Sequence, residues 1–191
     1  MQHIADLENV KSYKIRLEFT DRFEPSLVSD GGLPFVSLKE EILANMISEE
    51  AEAIREKYGR IPYGSPLYLW EAEYQGKVEL LYIGRTTRQK IQKRFEGHGA
   101  VIKILATYVN DPESKVYFRL CSRLDLSYEK TGTFYTIAVE HLPLNQAQHV
   151  INDVEAYLIY RTKPFFNSHY KKNEKSYWKE FYIETIRNIT I

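Results

Sequence analysis

Ser65-Pro66-Leu67-Tyr68-Leu69-Trp70-Glu71-Ala72-Glu73-Tyr74-Gln75-Gly76-Lys77-Val78-Glu79-Leu80-Leu81-Tyr82-Ile83-Gly84-Arg85 reads as a β-hairpin. Leu67 to Tyr74 and Val78 to Ile83 are short runs rich in aromatic and large apolar residues, and Gln75-Gly76-Lys77 between them is a turn signal. A two-residue loop at Gln75-Gly76 sets Tyr74 opposite Lys77. Counting back along both strands then sets Leu67 opposite Gly84, next to Tyr68; a bulge would alter that register.

Outward from the hairpin, Pro62, Gly64 and Pro66 form a breaker-rich linker. Before it, residues 10–20 alternate polar and apolar and predict a strand. A loop follows through Pro25, Gly31, Gly32 and Pro34. Ser37 with Glu40 has the spacing of a capping box, opening a helix that runs to about Tyr58 and ends at Gly59. After the hairpin a basic helix is expected from about Arg88 to His98, then a second helical stretch through Val101 to Val109. Asn110-Asp111-Pro112 is a turn, Lys115 to Ser122 a strand, and Asn145 to about Thr162 a helix stopped by Pro164. The aromatic segment Glu174 to Arg187 is expected to be helical. The predicted fold class is α/β (α+β): a small, mostly antiparallel sheet of three strands, the hairpin plus Lys115–Ser122, flanked by helices. Residues 1–62 are then an N-terminal extension, 63–170 the core, and 171–191 a helical C-terminal extension.

With 191 residues, 43% of them hydrophobic, the chain is long enough for a packed core. Apolar runs are short and interrupted by charge, so no membrane-spanning helix is expected. Met1-Gln2-His3-Ile4-Ala5-Asp6 lacks the basic flank and apolar run of a signal peptide. The single Cys121 excludes an intramolecular disulfide and a cysteine zinc site, and its apolar surroundings predict a buried, inert thiol. These features point to the cytoplasm. His3, His141, His149 and His169 form no zinc-ligand pattern with carboxylates.

Net charge is zero, so nothing global argues for nucleic acid; the distribution does. Glu40, Glu41, Glu49, Glu50, Glu52 and Glu56 make the first third acidic. Arg85, Arg88, Lys90, Lys93 and Arg94 form one basic stretch, and Arg161, Lys163, Lys171, Lys172 and Lys175 another. A single patch of this kind is often plain solvated surface. Two patches flanking one candidate site suit phosphate attraction.

Tyr82-Ile83-Gly84, the Arg94…His98 spacing on the following helix, and Val154-Glu155-Ala156-Tyr157-Leu158-Ile159 followed by Lys163-Pro164-Phe165-Phe166-Asn167 together resemble the GIY-YIG nuclease family. The resemblance covers roughly Ser65 to Asn167. The first half-motif departs from it, with Pro66 for the glycine and Leu67 for the isoleucine before Tyr68. A rival alignment on Tyr68-Leu69-Trp70 loses the tyrosine. Hairpin register favours Tyr68, because the family's first tyrosine lies beside the glycine of the second half-motif.

The resemblance implies a catalytic set of Tyr68, Tyr82, Arg94, His98 and Glu155, with Glu155 as the ligand of Mg²⁺ or Mn²⁺ and Gly84 and Asn167 in structural roles. Phosphodiester hydrolysis needs an activated water and neutralisation of charge in the transition state. Tyr68 would accept the water's proton, directly or by relay, if cations such as Arg85 and Lys93 lower its pKa. Tyr82 would hold water or phosphate. Arg94 and His98 are four positions apart and share a helix face, placing a guanidinium fork and an imidazole on the phosphate. A lone carboxylate at Glu155 suits Mg²⁺, which retains waters and takes substrate oxygens. Arg85, Arg88, Lys90, Lys93, Lys171 and Lys172 are candidate contacts to DNA backbone. Each residue alone also fits a plain role in sheet packing or on a solvated helix face; the ordered set is what points to a site.

The expected function is a metal-dependent endonuclease on double-stranded DNA, of a type II restriction kind, with a homodimer as a natural way to cut both strands. A repair or mobile-element nuclease is the alternative within the class. A non-catalytic nucleic-acid-binding module with a decayed site is the alternative outside it, favoured by the altered Pro66-Leu67-Tyr68. No helix-turn-helix or zinc finger is present to read bases.

Overall fold

Ser114–Lys130, seventeen residues rich in Val, Tyr, Phe and Leu, form one long strand around which the sheet is assembled. The computed structural model describes residues 7, 10, 12–22, 67–85, 98–108, 111–171 and 180–187. In chain order these form β1 (Ser12–Phe19), β2 (Leu67–Tyr74), β3 (Lys77–Arg85), α1 (Gly99–Tyr108), β4 (Ser114–Lys130), β5 (Thr133–Ala138), a 3₁₀ turn (Val139–His141), α2 (Leu144–Thr162) and β6 (Glu180–Arg187). The helix expected over 37–58, the linker at 62–66 and the basic helix from Arg88 to Gly97 lie outside the described residues.

The mixed α/β character holds, but the sheet has six strands rather than three. Its order is β3-β2-β4-β1-β6, with β5 also on β4. Residues 114–120 of β4 pair with β2, and residues 121–127 pair with β1. β5 pairs with 125–130, overlapping β1, so β1 and β5 occupy opposite edges of β4. β1, read from sequence as part of a separate extension, therefore shares the sheet with the hairpin. The β4–β5 turn has Thr131 and Gly132 at positive φ of 52° and 77°, the geometry of a tight hairpin. Thr-Gly lacks the Asn or Asp that usually announces such a turn, which is why β5 and the second half of β4 escaped the sequence reading.

The expected C-terminal helix is corrected over 180–187. These residues form β6, parallel to β1. Phe181 and Ile183 turn toward the core while Tyr182 and Glu184 are exposed, a period of two rather than 3.6. Phe181 stacks on Tyr13 with ring centroids 6.0 Å apart. Glu184 meets Lys14 and Arg16 on the exposed face, where such pairs add little stability.

β2 lies between β3 and β4 and is buried on both faces. Leu67 and Leu69 join the cluster of Val150, Val154, Leu158 and Ile159 from α2. Tyr68, Trp70 and Ala72 join Val101, Ile104 and Leu105 of α1. The two helices thus cover opposite faces of the hairpin. Cys121 is buried as expected, and burial pushes its thiol far above the ordinary range, so it is inert. Among the described residues no helix is long and apolar enough to cross a membrane.

A largely buried ion network joins the chain leaving β1 to the central strands. Arg119 Nε and Nη2 donate to Thr20 O at 2.8 and 2.7 Å, and Nη1 lies 3.5 Å from Glu71 Oε1. Arg22 Nε donates to the other Glu71 oxygen at 2.9 Å. Arg119→Ala strips the Thr20 carbonyl of both donors and removes a cation from a buried carboxylate. The expected loss is about 3 kcal/mol, at the low end for breaking a buried pair because Arg22 remains on Glu71. Urea unfolding measures it; an unchanged midpoint would show that water reaches Glu71.

Candidate functional site

β3 stands last in the strand order, so its outer backbone edge needs partners from elsewhere. They come from the turn after α2. Lys163 takes a left-handed conformation (φ 48°) with its N–H on Ile159 O, and Pro164 prevents the helix from continuing. The chain folds back, and Phe166 N donates to Leu81 O at 2.9 Å. The Asn167 side chain then clips Ile83 from both sides. Its Oδ1 accepts from Ile83 N at 2.9 Å and its Nδ2 donates to Ile83 O at 2.8 Å. Asn167 had a structural role from sequence, closing the turn after Pro164; the structure adds that it closes the sheet edge and ties α2 to the hairpin.

The hairpin turns at Gln75-Gly76, both at positive φ, with Tyr74 opposite Lys77 as expected. The register then shifts by one between Trp70 and Glu71: Glu71 faces Leu80, but Trp70 faces Tyr82. This bulge corrects the expected pairing of Leu67 with Gly84. Gly84 faces Tyr68 directly, and Leu67 faces Arg85. The bulge also lets the consecutive Leu81 and Tyr82 both meet the α1 cluster. A Cβ on Gly84 would stand 2.6 Å from Tyr68 Cε2 and closer still to Cζ and the hydroxyl, so only glycine leaves room for this ring.

Tyr68 and Tyr82 converge on His98. Tyr68 Oη lies 3.2 Å and Tyr82 Oη 3.3 Å from His98 Nε2. Nε2 has one in-plane site, so it donates to either phenol when protonated and accepts from either when bare. Tyr68 has no exposed surface, whereas Tyr82 and His98 are partly exposed. Trp70, the rival for the first tyrosine's place, packs on Phe118 with centroids 4.9 Å apart.

A cavity of about 470 Å³ opens beside this cluster, with Tyr82, Arg85, Ala100, Glu155, Phe166 and His169 among its lining residues. Glu155 reaches it from the middle of α2 and is 9% exposed. Arg85, a candidate contact to DNA backbone, places Nε 2.7 Å from Glu155 Oε2. Lys171 Nζ donates to Phe165 O at 3.1 Å, at the turn that carries Asn167. Arg88, Lys90, Lys93, Arg94 and Lys172 lie outside the described residues. The structure therefore brings together Tyr68, Tyr82, His98, Glu155, Gly84 and Asn167. The pairing of Arg85 with Glu155 was missed; only the sequence order, with Arg85 directly after Gly84, hinted that it sits at the site.

Among the described residues no group of three or more His, Cys, Asp and Glu could hold a metal ion. That excludes a closed protein cage there. A single hard carboxylate would be enough for Mg²⁺ or Mn²⁺ if water and substrate oxygens completed the shell. Glu155 on the cavity wall is one such group, with Arg85 on one of its oxygens.

Two substitutions test the construction of the site. Gly84→Ala forces a methyl group into the buried Tyr68 ring and should cost about 1–3 kcal/mol in thermal or urea unfolding; a neutral result would mean that the ring has room to move. Asn167→Ala leaves Ile83 N–H and C=O bare, at an expected cost of roughly 2 kcal/mol. It should also speed exchange of the Ile83 amide hydrogen relative to the other β3 amides. Uniform protection across β3 in that variant would show that the clip is not what holds the edge.

Comparison with family models, with curated proteins and with solved structures finds no match for this chain.

Proposed function

We propose that this chain is a metal-dependent endonuclease of GIY-YIG type that hydrolyses phosphodiester bonds in double-stranded DNA, with a restriction-type enzyme acting as a homodimer as the favoured subclass. The observation that carries this reading is the convergence of two tyrosine hydroxyls on His98 Nε2, one of them from Tyr82, which lines the same cleft as Glu155. Tyr82, partly exposed, orients the attacking water and takes its proton while passing its own to His98 Nε2. Water oxygen bonds to phosphorus, the bond to the leaving sugar oxygen breaks, and that oxygen takes a proton from solvent. Tyr68, fully buried, is a positioning residue that fixes the imidazole rather than a base that meets water. Mg²⁺ or Mn²⁺ at Glu155 would supply Lewis-acid stabilisation of the phosphate oxygens. Arg94 would clamp the scissile phosphate, as the family resemblance implies, with the basic residues after Gly84 on the backbone.

The Arg85–Glu155 ion pair favours a second reading, a DNA-binding module without catalysis, since it neutralises the carboxylate. A plasmid of mixed sequence incubated with Mg²⁺ or Mn²⁺ separates the two. The first reading expects nicking or linearisation. Glu155→Gln, His98→Gln and Arg94→Ala should each lower the single-turnover rate by about two to three orders of magnitude, with gel-shift affinity largely retained. DNA that is bound but left intact by the unaltered chain, in both metals, establishes the second reading.

A further inference from the structure

Glu155 carries its carboxylate at a depth where a bare negative charge is costly, so the metal-free protein must compensate it. Arg85 does so, with Nε 2.7 Å from Oε2. The sheet holds a second arginine–glutamate pair for comparison. Arg119 and Glu71 are each 5% exposed, and two further bonds to Thr20 O hold the guanidinium in place. That pair is a buried structural bridge, with the more exposed Arg22 on the other Glu71 oxygen. Arg85 is 32% exposed, and both it and Glu155 line the cavity. The pair is open on its cleft side, so its guanidinium has water to move into and the carboxylate remains reachable from the cavity.

A divalent cation bound at Glu155 would compete with Arg85 for the same carboxylate. We propose that Arg85 is the resident counter-ion of Glu155, displaced by the arriving metal, and that its freed guanidinium then serves a phosphate of the substrate. The inference rests on the reading of Glu155 as the metal ligand. Charge explains why the exchange favours substrate. With Arg85 on Glu155 the pair is neutral; with a divalent ion on Glu155 and Arg85 released beside it, these three groups together carry two net positive charges. That state is opposed by repulsion in the free protein and relieved by an anionic phosphodiester. Metal without DNA should therefore bind weakly, and Arg85 should be the reason.

The test is binding of Mn²⁺ alone, followed by the loss of the free-ion electron paramagnetic resonance signal, to the full chain and to Arg85→Gln and Glu155→Gln. Arg85→Gln should bind Mn²⁺ about tenfold more tightly, within the ordinary range of coupling between two ligands. Glu155→Gln should lose the site. In the unaltered chain, the Arg85 Nε–H resonance should shift on titration with Mg²⁺, with the midpoint of metal binding; this reading needs no variant to fold. Affinity unchanged or weakened in Arg85→Gln, or Mg²⁺ saturating the site while the Nε–H resonance stays still, overturns the displacement. Binding absent from both the unaltered chain and Arg85→Gln, or surviving Glu155→Gln, overturns the metal role of Glu155 itself and the displacement with it. The two failures are thus distinct.

Discussion

Three hydrogen bonds from one turn hold the site together. Phe166 N–H and the Asn167 side-chain amide occupy Leu81 O, Ile83 N and Ile83 O, positions on β3 that a further strand would otherwise fill. An edge strand presents unpaired backbone groups, and a primary amide, with one acceptor and one donor side by side, matches the N–H and C=O of a single residue. The consequence reaches beyond the edge. Ile83 lies between Tyr82 and Gly84, so the clip fixes the segment that carries the tyrosine and the glycine. The same turn follows directly from α2, so it also sets where Glu155 stands relative to Tyr82 and Arg85.

Within the hairpin, one extra residue decides which side chains can meet. A regular ladder would alternate faces without interruption, sending Leu81 and Tyr82 to opposite sides. The bulge lets both contact the α1 side, so Leu81 packs in the core while Tyr82 reaches the cleft. It also brings Gly84 opposite Tyr68, and the absence of a side chain there gives the phenol the space from which its hydroxyl reaches His98. Glycine at this position answers a packing demand rather than a turn demand. The cost is one interrupted stretch of the β2–β3 ladder.

Charge in this molecule is organised locally, although the whole chain is neutral. Two of the buried carboxylates, Glu71 and Glu155, are paired with arginine, but the pairs Arg119–Glu71 and Arg85–Glu155 differ in access to water. At Glu71 the Arg119 guanidinium is locked by the Thr20 carbonyl and buried between β2 and β4. At Glu155 the guanidinium faces a cavity. The same pair of residue types thus gives a structural bridge in one place and an exchangeable contact in the other, because dielectric surroundings and competing donors decide how firmly an ion pair is held.

Features encoded within a few neighbouring residues were legible in the sequence. The Gln75-Gly76 turn, the stop of α2 before Pro164, the burial of Cys121 and the grouping of Tyr68, Tyr82, His98 and Glu155 all follow from local signals or from motif spacing. What depended on distant partners was not. β6 pairs with β1, and Arg16 meets Glu184 across 168 positions of chain; an aromatic segment shows its period of two only when a strand waits beside it. The length of β4 follows from three different neighbours that between them use all of it. Gly84 rather than Ile83 faces Tyr68 because of a bulge that no residue announces, and Arg85 turns to Glu155 because α2 lies against β3. By itself the sequence determined the elements that announce themselves locally, the hairpin and α2 among them, and which residues form a candidate site, since backbone preference and spacing are local. Only the tertiary structure decided register, strand count and ion pairing, since these are set by groups that meet across the fold and leave no trace in their own neighbourhoods.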